Sequence, residues 1–60
     1  MAYFVVKALD AEGYSIHEWE CYGIRRAKET AKRALSEYTD CSKVEIQNYH
    51  GDVLWDKFQK

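Results

Sequence analysis

Between Ile24 and Tyr38, the residues Ala27, Ala31, Ala34, Leu35 and Tyr38 recur at i, i+4, i+7, i+8 and i+11, the spacing of one face of an α-helix. The rest of that stretch is polar and mostly basic. Both flanks read as strands and tight turns, so this is the only helix available to cover a sheet. A chain built this way is confined to a small α+β fold.

Tyr3 to Leu9 is rich in β-branched and aromatic residues and reads as a strand. Phe4, Val6 and Ala8 make its apolar face, and Tyr3, Val5 and Lys7 a mixed one. Asp10-Ala11-Glu12-Gly13 reads as a type I turn closing on a left-handed glycine. Tyr14 to Tyr22 is the returning strand, with Trp19 and Cys21 toward the helix and Ile16, Glu18, Glu20 and Tyr22 away from it. Gly23 is an acceptable N-cap, weaker than Ser or Asp, and Thr39-Asp40-Cys41-Ser42 ends the helix. Lys43 to Asn48 is a third strand with Val44 and Ile46 inward, Tyr49-His50-Gly51-Asp52 a second turn, and Val53 to Phe58 the fourth strand. A two-residue His50-Gly51 loop sets Trp55 opposite Ile46 in the core and turns Leu54 and Phe58 to the other face. The order is therefore β-β-α-β-β. An up-down count gives a fully antiparallel four-stranded sheet of order 2-1-3-4, with one helix on one face.

Sixty residues make a single domain, 1–60, near the lower limit for folding without disulfides, metal or a partner. The aromatic share, 15%, is high for so small a core, so some rings must lie at the surface or against another chain. No apolar run approaches the ~18 residues of a membrane span, and Met1 leads straight into a strand. The expectation is a cytoplasmic chain without a membrane partner. Two cysteines are too few for a disulfide framework.

Catalytic and metal chemistry find little support. His17 and Cys21 share a strand face but stand roughly 13 Å apart at ~3.3 Å per residue. Cys21 and Cys41 flank the helix, on the order of 20 Å apart at ~1.5 Å per residue, so neither a zinc site nor an internal disulfide is expected. Cys21 is expected to be packed and Cys41 exposed or half-buried. There is no nucleophile–base pair, phosphate loop or glycine-rich fingerprint. We expect a non-enzyme with no cofactor.

Charge is distributed more informatively. Arg25, Arg26, Lys28, Lys32 and Arg33 cluster on the helix's solvent side, with Glu29 as the acid among them. Glu18, Glu20, Glu45 and Asp56 fall on the uncovered sheet face among Tyr3, Val5, Ile16, Tyr22, Leu54 and Phe58. Surface helices are often Lys/Arg-rich simply because those residues are good helix formers. Arg25 and Arg26, however, oppose the helix dipole, and free amides at that end suit an anion. The sheet face carries a larger apolar patch than a soluble monomer usually exposes. Its interleaved acids favour a basic protein surface or self-association over nucleic acid.

Ala2-Tyr3-Phe4-Val5-Val6-Lys7, the Ala27-x-x-x-Ala31 helix with Lys28 beside it, and Val44-x-Ile46 leading to Gly51 resemble small phage-encoded inhibitors of bacterial defence, in particular anti-CRISPR proteins. The resemblance runs in outline along most of the chain. It departs at Gly23-Ile24-Arg25-Arg26, where such proteins usually carry a Ser or Thr cap. It implies a stand-alone inhibitor that binds a CRISPR effector complex in the host cytoplasm, with Tyr3 and the basic helix residues as contacts. The leading expectation is thus a protein-binding inhibitor or adaptor of phage or mobile-element type. The alternatives are a nucleic-acid-binding module using the helix face and a homodimer that buries the sheet or pairs its edges.

Overall fold

A computed structural model describes residues 3–59. Its elements are β1 (Tyr3–Leu9), β2 (Ser15–Tyr22), α1 (Ile24–Glu37), β3 (Lys43–Gln47) and β4 (Val53–Phe58). The four strands form one antiparallel sheet of order β2-β1-β3-β4, as the strand pattern requires. α1 packs across β1, β2 and β3. No helix among the described residues is long and apolar enough to cross a membrane.

The core follows from two periodicities meeting. Val6, Ala8, Val44 and Ile46 take the inward positions of the central strands, and Ala27, Ala31, Ala34 and Leu35 form the buried stripe of α1. Three alanines along that stripe let the helix backbone sit low on the sheet. Cys21 and Cys41 are buried free thiols. Cys41 departs from its expected exposure: it is fully buried, with Sγ donating to the Lys43 carbonyl at 3.4 Å. The turn after the helix folds back under it, Cys41 N–H donating to the Tyr38 carbonyl and Ser42 N–H to that of Leu9.

Both hairpins are closed by the same device. Asp10 Oδ1 accepts the amides of Glu12 and Tyr14, and Asn48 Oδ1 accepts those of His50 and Asp52. Each loop ends on a glycine of positive φ, Gly13 at 92° and Gly51 at 90°, a backbone that L side chains rarely adopt. Each returning strand then bulges, at Ile16 against Ala8/Leu9 and at Leu54 against Ile46/Gln47. The second loop is therefore three residues, Tyr49-His50-Gly51, closed by Asn48 N–H on the Asp52 carbonyl, not the two expected. The bulge restores the lost residue, so Trp55 still lies opposite Ile46. β1 and β3 pair with Lys7 opposite Glu45, Val6 opposite Ile46 and Ala8 opposite Val44. The two hairpins are thus related by a local two-fold passing between Lys7 and Glu45.

The alanine stripe yields a stability test. Ala31 is fully buried, so Ala31→Leu overfills the helix–sheet contact and is expected to cost ~1–3 kcal/mol. Arg33→Leu on the exposed side is expected to stay within about 0.5 kcal/mol of the parent. Urea unfolding followed by circular dichroism measures both.

Candidate protein-docking face

The face of the sheet opposite α1 has no cover from the described residues. Cross-strand register places Tyr3, Val5 and Lys7 beside Tyr22, Glu20 and Glu18, and Lys43 and Glu45 beside Phe58 and Asp56. The outer strands carry its exposed apolar groups, Tyr22 at 63% and Phe58 at 64% exposure. Tyr3, Val5, Tyr22 and Phe58 therefore stand where the sequence places them. Leu54 occupies the β4 bulge and is half exposed.

Ile16 is a correction. The bulge makes it the extra residue of β2, and it lies half-buried against the core cluster rather than in line with the open-face residues. One inserted residue is enough to break the two-residue alternation on which its expected placement rested.

The face is electrically uneven. Lys43 Nζ lies 3.0 Å from Glu45 Oε2, 3.6 Å from Asp56 Oδ2, and 4.9 Å from the centre of the Phe58 ring. The hydrogen bond to Glu45 raises the Lys43 pKa, burial opposes it, and the two carboxylate charges add to the rise. Burial pushes Glu45 upward, but hydrogen bonds from Lys43 and Gln47 prevail and hold it below the ordinary 4.5. The β3–β4 half is thus largely self-neutralised. At the other end the Tyr3 and Tyr22 rings lie 5.8 Å apart. Tyr3 hydrogen-bonds to Glu20, which together with burial and that charge raises its phenol pKa. Glu18 accepts from Ser15 Oγ at 3.1 Å. Four carboxylates face two ammonium groups over the whole surface, and the excess lies on the β2 side. Lys43 is the residue that sequence reasoning missed here: its two-residue spacing from Glu45 set its face, and the β3–β4 register brings it to Asp56 and Phe58.

The helix presents the opposite charge. Arg25, Arg26, Lys32 and Arg33 are exposed, whereas Lys28 is half-buried with Nζ 6.0 Å from the centre of the Trp55 ring. Gly23 is the N-cap at φ 101°, with no side-chain cap and no acid in the first turn. Arg25, Lys28 and Lys32 line one shallow groove with Ile24 and Glu29; Arg26 and Arg33 line another with Glu29 and Thr30. Among the described residues, the only ion pairs are those of Lys43, and no three His, Cys, Asp or Glu side chains are grouped to hold a metal ion. No known protein family, curated protein or solved structure matches this chain.

The lowered Glu45 pKa has a signed consequence. A carboxylate depressed in the fold contributes stability that is complete above its unfolded value, near 4.5, and lost as pH falls through the folded value. Glu45→Gln should therefore lose less stability than the parent on acidification below about pH 4.5. Denaturant unfolding at a series of pH values checks this, and parallel curves would show that Glu45 contributes nothing to the acid limb.

Proposed function

We propose that this domain is a non-catalytic protein-binding module, an inhibitor or adaptor of phage or mobile-element type, which docks a basic protein surface through the open face of its sheet. The carrying observation is the uncovered face itself. It combines exposed Tyr22 and Phe58 with interleaved Glu18, Glu20 and Asp56. Large rings at a polar surface are favoured anchors for a partner, and carboxylates among them select positive charge. Two copies stacked face to face would bring like net charge together, so a heterologous partner fits better than a second copy. The resemblance to anti-CRISPR inhibitors supplies a first partner class, a CRISPR effector complex, and the cytoplasm as the place of action.

Nucleic-acid binding is the second reading, favoured by the absence of ion pairs at Arg25, Arg26, Lys28, Lys32 and Arg33 among the described residues. One set of variants separates the two. A partner is captured, purified and titrated with each variant at physiological salt. Tyr22→Glu and Phe58→Glu, both at sites more than half exposed, are expected to weaken the complex by more than about 1 kcal/mol each. Charge reversal at Arg25, Arg26, Lys32 and Arg33 should leave it unchanged. Steeply salt-dependent DNA binding that is lost at the helix and unaffected at the sheet would establish the second reading instead.

A further inference from the structure

β4 is an edge strand in two senses. It pairs with β3 alone, and α1, lying over β1, β2 and β3, does not reach it. Its helix-side residues Trp55 and Lys57, opposite Ile46 and Val44, therefore lie at the margin of the roof, Trp55 half-buried against the core and Lys57 exposed. Lys28 leans over Trp55. Lys32, Leu35 and Ser36 of α1 face Lys57, Phe58 and Gln59 across a groove of about 330 Å³. Gln59 ties its end to the helix, Nε2 donating to the Leu35 carbonyl at 3.2 Å. Lys28, Lys32 and Lys57 have no carboxylate partner among the described residues.

The backbone of the same strand is also open. Gln59 N–H donates to the Ser42 carbonyl at 2.9 Å, so by the two-residue period of an antiparallel ladder Lys57 and Trp55 also turn their peptide groups toward β3. Asp56 and Phe58 then turn theirs outward, to the free edge. The other edge strand differs. On β2 the helix-side positions are filled by stacked rings, His17 against Trp19 and Tyr38 with centroids 5.7 and 4.3 Å apart, and Glu18 and Glu20 guard its open side.

We infer that the β4 edge and the cleft between it and α1 take an extended acidic segment of a partner polypeptide as a fifth strand. Main-chain bonds form to Asp56 and Phe58. Acids on the helix side of the added strand meet Lys57 directly and reach Lys28 and Lys32, while apolar residues on its other side pack beside Phe58. A second copy suits the edge less well at registers centred on Asp56, Lys57 or Trp55. Symmetric pairing centred on Asp56 opposes two carboxylates, pairing centred on Lys57 opposes two ammonium groups, and pairing centred on Trp55 meets the Leu54 bulge. Nucleic acid suits it less well too, because the half-buried Trp55 ring packs against the core rather than standing free for a base to stack on.

The probe is acetyl-Val-Glu-Val-Glu-Val-Glu-Val amide, with Lys in place of Glu as control, titrated into the full isotope-labelled chain. Hydrogen exchange at the Asp56 and Phe58 amides is expected to slow about tenfold or more with the acidic peptide and not with the basic one. Lys32→Glu with Lys57→Glu, both exposed sites, should reverse that preference. Asp56→Pro removes an outward N–H and should abolish binding. Tyr22→Ala on the open face should leave peptide binding unchanged, so this proposal and the docking-face reading fail separately. Unchanged exchange at saturating acidic peptide overturns the proposal. So does protection of both amides in the free chain with sedimentation as a dimer, which assigns the edge to a second copy. Shifts at Lys28 and Lys32 with oligothymidylate, without protection on β4, assign the lysines to nucleic acid and likewise overturn it.

Discussion

The antiparallel pairing of β1 with β3 holds the domain together. A two-stranded hairpin is marginal by itself in water, and this chain contains two. They are joined where Val6 meets Ile46 and Ala8 meets Val44, all four fully buried. Ala27, Ala31 and Ala34 roof that seam. Small roof residues bring the helix close, and close approach excludes water from a core that contains few large side chains.

Two equivalent hairpins and a single helix leave an imbalance. α1 follows the first hairpin and lies over its strands and β3, and the His17, Trp19 and Tyr38 rings fill the space beside β2. On the side of β4 the cover is reduced to Lys28 reaching over Trp55. The unroofed β4 cleft and the open sheet face have the same origin, too little helix for the sheet. Neither is a flaw in packing, since no side-chain polar atom among the described residues is buried without a partner.

The fold was legible because its signals are local and agree with one another. The alanine stripe, the Asp10 and Asn48 turns and the alternation of Val44 and Ile46 each specify one element, and an up-down count orders the strands. The bulges at Ile16 and Leu54 were not legible, because a bulge is a property of two strands and leaves no mark in one. Their effects differed. At Leu54 the bulge offset a loop one residue longer than expected, so Trp55 was placed correctly by two compensating departures. At Ile16 nothing compensated, and the residue left the open face. Lys43 shows the other limit: its parity was plain, but only register brings its ammonium to Glu45, Asp56 and Phe58 together.

Charge keeps the two proposed surfaces apart, and geometry joins them. The open face carries excess carboxylate while the cleft beside α1 carries unpaired lysines, so a partner that fits one is repelled by the other. Asp56 and Phe58 nevertheless belong to both. Their side chains lie on the open face, and their peptide groups form the free edge. A strand added at β4 would fix the backbone beneath Phe58 and widen the apolar surface beside it. A partner then docking on the open face would meet a side chain already ordered, and the ordering cost of that contact would fall. On these proposals the two surfaces act in the same direction, with occupation of the edge strengthening the face. Such coupling would run through the backbone of a single strand.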